Sequence, residues 1–481
     1  MQLAKCGLVV ANLGTFHSGM SILNAAPAPA PPQTEAVEAE RDPRLSRWWV
    51  VFAYAGSAVY ALAVLQLAGQ PVQRIWGEWA AVGYALAAVA AMIWRTHGRD
   101  LALLLSFAGA FLIPLQQVTA GRGTSRVGEE SLRVIERSAQ LLLQHGSPYL
   151  PELRLDHFIT YNPYEPLMAA FGLPAALGVQ GAAGNPRLWM GAATALALFL
   201  AFRLARWRGA GWLTAFAIGF PVLALELTAG QTDVPVLALL CLMLALALRG
   251  GEETPAPALS GLVLGAACAM KATAWPAIPV MIALFAARDG GRAARRFAAA
   301  SVFSTIGLML LAAPSAIQDP VGLFHNTVLY PLGMTPYQTP AASLLPGHLL
   351  AAAGPSGHFV AVIALAALAL GIAVSLVVRP PRDVPAASAR LVLGLSLMFA
   401  LAPASRWGYF FYPAGLIGFT MLIAPRADGP LTGRIVAASR YLRRCVSPLA
   451  GPLAWVWAYV RARLAQRVPQ DRLGQRDAVR S

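Results

Sequence analysis

His358-Phe-Val-Ala-Val-Ile-Ala-Leu-Ala-Ala-Leu-Ala-Leu-Gly-Ile-Ala-Val-Ser-Leu-Val-Val378 contains no formal charge and stops at Arg379. At about 1.5 Å of rise per residue, a helix over such a run crosses the roughly 30 Å of bilayer hydrocarbon. The run is apolar on every face, so it reads as a membrane span. Outward from it, similar runs recur at Trp49–Leu67, Trp79–Trp94, Leu101–Thr119, Leu188–Ala205, Gly211–Thr228, Val234–Leu248, Ala258–Met270, Trp275–Ala287, Phe297–Ile317, Ala389–Ala404 and Tyr409–Ala424. Together they predict an all-α polytopic membrane protein with about twelve transmembrane helices, and they exclude a single-span anchor.

Composition agrees. Of the 481 residues, 57% are hydrophobic and 12% charged, and the mean hydropathy is +0.57, too apolar for a domain that needs a charged surface in water. A net charge of +15 suggests nucleic acid in a soluble chain. In a membrane protein it first asks whether Lys and Arg gather in alternate loops. They do, in Arg41–Arg47, Arg95–Arg99, Arg203–Arg208, Arg288–Arg296, Arg379–Arg382 and the tail from Arg426. Placing all six in the cytoplasm threads the chain from a cytoplasmic N-terminus to a cytoplasmic C-terminus, without nucleic acid as a partner.

This threading sets the expected domains. Residues 1–48 read as a disordered cytoplasmic arm with Ala/Pro- and Glu-rich sequence at Ala25–Glu40 and no signal-peptide pattern. Residues 49–425 form the transmembrane body, with large outer loops at 120–187 and 318–357. Residues 426–481 form a basic tail in which Arg434–Val446 and Leu453–Val468 segregate Arg from Ile, Leu, Trp and Val, as helices lying on an anionic leaflet do. Glu165–Gly184 is apolar but interrupted by Pro166 and Pro174, which predicts a surface or re-entrant helix. Cys6, Cys241, Cys268 and Cys445 lie far apart with no metal-ligand spacing, so neither zinc nor a disulfide is expected.

Ionisable groups are costly at membrane depth, which makes those at the outer ends of spans informative. They are Glu129, Glu130 and Glu136, then Glu226 and Asp233 around Gly230-Gln231, then Lys271, His325, His348 and Arg406. Each has a simpler reading beside the functional one. Glu129–His145 has helical spacing, and Glu129 and Arg133 can do no more than solvate one of its faces. Asp233 can cap the following helix, whose first turn carries Pro235. Lys271 lies between apolar runs and needs an anion, carbonyls, water or a snorkelling path. Arg406-Trp407-Gly-Tyr409-Phe-Phe-Tyr412-Pro413 pairs a guanidinium suited to a phosphate head group with rings that also anchor an interface.

Several motifs, in this order, resemble the polyprenol-phosphate-mannose-dependent α-(1,2)-mannosyltransferases of the glycosyltransferase-C superfamily, especially the actinobacterial members. They are an acidic helix, Gly146-Ser-Pro148-Tyr149, Tyr161-Asn162-Pro163-Tyr164-Glu-Pro166, Gly230-Gln231-Thr-Asp233, and Gly261-Leu-Val-Leu-Gly265 leading to Lys271 and Pro276. The resemblance covers roughly Leu101–Ala424 and departs from the simplest members in having two further spans before Leu101. It implies a glycosyltransferase-C-like fold with a large first outer loop carrying surface helices and a catalytic carboxylate. It also implies a multi-pass cell-membrane location, an active site on the outer face and a polyprenyl-phosphate sugar as donor. The expected sugar is mannose, with arabinofuranose as the alternative, and the acceptor is a glycan or glycolipid among membrane lipids.

The family usually carries an Asp where this chain offers only Glu. The catalytic role therefore passes to Glu130, with Glu129 and Glu136 as alternates. Lys271, Arg406, Gln231, Asp233, Tyr161, Asn162, Tyr164, His325 and Tyr409 are the expected substrate contacts. No cofactor and no metal is expected, since the donor is a substrate and no carboxylate pair stands at a suitable spacing. A transporter or lipid flippase is the rival, and a non-catalytic member of the same fold is a third possibility.

Overall fold

The computed structural model describes residues 43–93, 98–120, 130–151, 154–207, 209–251, 253–316, 319–337 and 339–423. The N-terminal arm up to residue 42, Glu129 and the basic tail from 424 lie outside the described residues. Met1–Ser46 separates as its own unit from Arg47–Ser481, and the architecture below is that of the second unit.

The described residues form helices and no strand, apart from one isolated parallel bridge between Ala342 and Ser405. Seven helices are long and apolar enough to cross a membrane: Trp48–Leu67, Pro71–Ile93, Gly98–Thr119, Pro186–Leu204, Gly291–Ala312, Pro355–Val378 and Val384–Leu401. An eighth crossing results if Ala210–Ile218 and Pro221–Ala229, bent by 67°, count as one. The expected spans at Val234–Leu248, Ala258–Met270, Trp275–Ala287 and Tyr409–Ala424 appear as shorter helices, Asp233–Ala247, Ala256–Met270, Ala277–Asp289 and Phe411–Ile423. At about 1.5 Å per residue, the 15 residues of Asp233–Ala247 fall short of the hydrocarbon thickness.

Three boundaries move for identifiable reasons. The single span expected over Gly211–Thr228 breaks because Phe220 is extended and Pro221 opens a new helix at its first position. The helix expected from Phe297 begins six residues earlier, at Gly291, taking Arg292, Arg295 and Arg296 into its first turns, and ends at Ala312 ahead of Pro314. Segment 165–184 does not cross as one helix: it forms a 3-10/α helix, Pro166–Ala176, and a 3-10 turn, Gly181–Gly184.

Burial separates helices that composition cannot. Every residue of Asp233–Ala247 except Leu239 is buried, which makes this the central helix. Along Pro355–Val378 only Ala361 and Leu376 are buried, the pattern of a helix on the lipid side. The central helix packs beside Pro186–Leu204 and Ala256–Met270 within one continuous apolar core.

Ala256–Met270 and Gly291–Ala312 run side by side in the same direction, with Gly261 opposite Phe297 and Gly265 opposite Ser301 and Ser304. A Cβ at Gly261 would sit 2.5 Å from the Phe297 carbonyl oxygen, and one at Gly265 would sit 2.5 Å from Ser304 Cβ. Such close backbone approach at a small-xxx-small pair is how helices associate where apolar burial offers little gain over lipid. Ser304 Oγ donates to the Leu262 carbonyl at 2.9 Å and locks the contact. The pair matters for the site because Lys271 is the residue that ends the first of these helices. Gly265→Val is expected to push the helices apart and destabilise the fold by about 1–3 kcal/mol, read as a lower unfolding temperature in detergent. An unchanged unfolding temperature would show that the close approach is not needed.

Candidate active site

The site begins where the helix Pro221–Ala229 stops. Gly230 takes a left-handed conformation with φ +86°, and the amides of Gly230 and Gln231 return to the Glu226 carbonyl at 3.0 and 2.9 Å. This glycine cap turns the chain so that Gln231, Thr232 and Asp233 face the next element. Asp233 is the first residue of the central helix, but its carboxylate makes no capping bond, and the cap position is Thr232.

Instead, Asp233 Oδ1 accepts from Lys271 Nζ at 2.5 Å and from the Tyr412 hydroxyl at 2.8 Å. Lys271 is delivered by the end of Ala256–Met270, where its backbone turns extended with φ −160° and ψ 137°. It does not snorkel: its side chain is 10% exposed, and the Asp233 side chain 3%. The ammonium also lies 3.5 Å from Thr232 Oγ1 and sits over the rings of Tyr164 and Tyr409, 5.4 and 5.3 Å from their centroids. Tyr412 is held in turn by Thr273, oxygen to oxygen 3.0 Å.

The segment 146–165 is anchored chiefly by backbone contacts. Arg137 donates to the carbonyls of Ile159, Thr160 and Tyr161. Asn162 accepts from the Tyr164 amide, donates to the Pro148 carbonyl, and bonds through its own amide to Asn326 Oδ1 at 2.8 Å. The Tyr149 hydroxyl donates to the Tyr164 carbonyl at 2.9 Å, and the Glu165 amide reaches the Met270 carbonyl at 3.1 Å, one residue before Lys271. Tyr161 stacks flat on Tyr330 with centroids 4.5 Å apart.

On the other side, Ser405 pairs with Ala342 in the isolated bridge, the Ser343 amide donates to the Ser405 carbonyl and the Ser405 amide to the Ala341 carbonyl, and the Trp407 backbone N–H donates to Ser343 Oγ at 3.1 Å. This clasp carries Arg406. Its Nη2 lies 4.0 Å from Glu130 Oε2, at the start of the helix Glu130–His145.

These groups border a cavity of about 470 Å³, within the size range of small-molecule sites. Of the predicted site residues, Glu130, Gln231, Asp233, Lys271, Arg406, Tyr161, Tyr164 and Tyr409 line it. Leu365, Met398 and Phe399 form an apolar side, from Pro355–Val378 and Val384–Leu401. Three candidates are not on the wall. Asn162 is buried as a bracket for its loop, and His325 starts the π-helix His325–Leu329, of which Thr327 and Val328 rather than His325 line the cavity. Glu136 is half-buried among structural charges: burial raises its carboxyl above the usual range, against the lowering effects of Arg187 and Arg133. Arg187 itself donates to the Thr228 and Ala229 carbonyls at the end of Pro221–Ala229. Glu129 lies outside the described residues.

Tyr412, Thr273, Tyr330 and Glu165 belong to the site and were not among the expected contacts. Tyr412 stands inside the Arg406–Pro413 motif, but aromatic residues at an interface carry no signal of a specific partner. Glu165 is 3% exposed, and burial pushes its carboxyl from the ordinary 4.5 up to about 7. A raised acid pKa favours the protonated folded state. The resulting stability is present below the unfolded value and is lost as pH rises through about 4.5 to 7. Glu165→Gln cannot titrate, so its unfolding temperature is expected to gain on the wild type as pH rises from 4.5 to about 7. Parallel profiles would mean that Glu165 does not carry this pH dependence.

Among the described residues the body is all-helical, with helices long and apolar enough to cross a membrane and a cavity of mixed polar and apolar lining set among helix ends. The model of glycosyltransferase family 87 matches residues 162–403, half of the chain. The chain belongs to that family and is a membrane glycosyltransferase. Neither a curated protein nor a solved structure matches it. The matched stretch includes Gln231, Asp233 and Lys271, but begins after Glu130 and ends before Arg406, so the family assignment does not speak for those two residues.

Proposed function

We propose that this enzyme transfers mannose from a polyprenyl-phosphate donor to a glycan or glycolipid acceptor at the outer face of the cell membrane, by a single inverting displacement. The observation that carries the reading is the convergence of Glu130, Arg406 and the Asp233–Lys271 pair on one cavity whose remaining side is apolar. A lipid-linked donor needs such a place: polar where the sugar and phosphate lie, oily where the chain leaves.

The chemistry follows from the groups available. The acceptor hydroxyl oxygen attacks the anomeric carbon, and its proton passes to the Glu130 carboxylate. The bond from anomeric carbon to phosphate oxygen breaks, and polyprenyl phosphate leaves with one more negative charge. Arg406, with its side chain 38% exposed and only loosely paired with Glu130 at 4.0 Å, is the cation placed to offset that charge. Lys271 is less suited, because it is shut into a close pair with Asp233 at 2.5 Å. The donor brings its own activated bond, so the reaction is assigned no cofactor.

Charge distribution supports the orientation. Asp233–Ala247 runs from the cavity towards Arg249, Ala277–Asp289 from Thr273 towards Arg288, and Pro186–Leu204 carries Arg203 in its last turn. Val384–Leu401 runs the opposite way, from Arg382 to cavity residues Ala402 and Ala404. The basic ends therefore lie opposite the cavity, as they do when Lys and Arg mark the cytoplasmic side. In this reading both termini are cytoplasmic, and the four shorter helices complete the twelve crossings, with Asp233–Ala247 buried along nearly its whole length.

Two variants test the assignment with labelled polyprenyl-phosphate mannose. Glu130→Gln is expected to lower kcat by about 10²–10⁴ with the unfolding temperature unchanged, as loss of a positioned base does. Wild-type kcat in a folded Glu130→Gln protein would remove the residue from the chemistry. Arg406→Gln is expected to weaken polyprenyl-phosphate binding by roughly tenfold or more, the scale of a lost charge-assisted contact. Movement of sugar or lipid across the membrane without a new glycosidic bond would favour a transporter instead.

A further inference from the structure

The polar part of the cavity divides into two zones by exposure and by how closely the charges are paired. Glu130 and Arg406 stand 4.0 Å apart with side chains 48% and 38% exposed, a loose pair open to solvent and substrate. Asp233 and Lys271 are shut in at 2.5 Å and carry no net charge together. A phosphate approaching Lys271 would also meet the Asp233 carboxylate, whose negative charge opposes it.

The hydrogen-bond inventory of the pair points elsewhere. Both bonds to Asp233, from Lys271 Nζ and the Tyr412 hydroxyl, land on Oδ1. Among the described residues, Oδ2 accepts none. Asp233 lies on the cavity wall, and Oδ2 is not among the buried polar atoms that lack a partner, so it is an acceptor available to a ligand in the cavity. Beside it, the ammonium spends one donor on Asp233 and reaches Thr232 Oγ1 only at 3.5 Å, so it retains donor capacity. The rings of Tyr164 and Tyr409 flank that ammonium.

An acceptor oxygen, a donor next to it and aromatic faces alongside form the complement of neighbouring hydroxyls on a neutral sugar ring. One hydroxyl donates to Oδ2, and the next accepts from Nζ. We propose that the Asp233–Lys271 pair reads hydroxyl groups of the transferred sugar and sets which sugar the enzyme accepts, leaving the phosphate to Arg406. This rests on the transfer reaction proposed above. Because the site is built around hydrogen-bonding groups, a donor lacking the contacted hydroxyl leaves them unpaired and is rejected far more strongly than lost contact area alone requires.

The test compares kcat/KM for polyprenyl-phosphate mannose with that for its monodeoxy analogues, using purified full-length protein in lipid nanodiscs. For at least one analogue, the wild type is expected to lose roughly 10- to 150-fold, the range for a hydrogen bond to a charged group. In the charge-neutral double variant Asp233→Asn/Lys271→Gln, that ratio is expected to collapse to about twofold, while the Kd for sugar-free polyprenyl phosphate stays within about twofold of wild type. A folded double variant that keeps the wild-type ratio would overturn the proposal. So would a tenfold or greater loss of polyprenyl-phosphate binding, which would return the phosphate to Lys271. If the double variant is unfolded or too slow to measure, Tyr412→Phe decides, since it leaves both charges in place. A ratio reduced about threefold or more supports the pair's role, and an unchanged ratio overturns it. Absence of transfer from any donor by the wild type would sink the proposed reaction itself, an outcome distinct from transfer without discrimination.

Discussion

A carboxylate and an ammonium held together out of water constrain much of this molecule. Removing two charges from solvent costs several kcal/mol per ion, and the cost is offset only with close geometry and further hydrogen bonds. Asp233 and Lys271 obtain these from the Tyr412 hydroxyl, the nearby Thr232 and two aromatic faces. Asp233 also occupies the first turn of the central helix, where the helix dipole favours an anion. The pair joins the starts and ends of helices from three regions of the chain, so those helix termini must all be placed for it to form.

The placement comes from backbone devices. Gly230 turns the chain into Asp233 through a left-handed cap, and Gly261 and Gly265 let the helix leading to Lys271 lie against its neighbour. Arg137, Arg187 and Asn162 spend their polar atoms on main-chain groups of loops and helix ends, which would otherwise be left without partners. Such residues resemble active-site groups when read as letters, because they are polar and sit among apolar neighbours. In this fold those polar atoms bond loops and helix ends that border the cavity.

Rigidity and exposure are therefore distributed unevenly around the cavity. The Asp233–Lys271 end is enclosed and charge-balanced, whereas Glu130 and Arg406 sit on a helix start and a loop clasp with much of their side chains open. In the reaction we propose, this difference suits a division of labour in transfer from a lipid phosphate. Recognition of a neutral ring benefits from fixed hydrogen-bonding partners, while the groups that meet the proton and the leaving charge need access to two substrates.

Much of this architecture was readable from local sequence. The apolar runs at Trp49–Leu67 or His358–Val378 depend only on length and hydropathy, and the membrane class follows from them. The motifs around Asp233 and Lys271, far apart in the chain, meet at one cavity wall in the structure. The sequence did not distinguish Val234–Leu248 from His358–Val378, yet the first is the buried centre and the second faces outward. Lipid and protein interior are similarly apolar, so hydropathy has the same value in either place. Nor could it show that Asp233 would spend its carboxylate on Lys271 and Tyr412, or that Glu136 would turn away from the cavity while Glu130, six residues earlier, lines it. Those outcomes depend on which helix ends meet across the fold, and only the packed tertiary structure brings such distant residues within hydrogen-bonding reach.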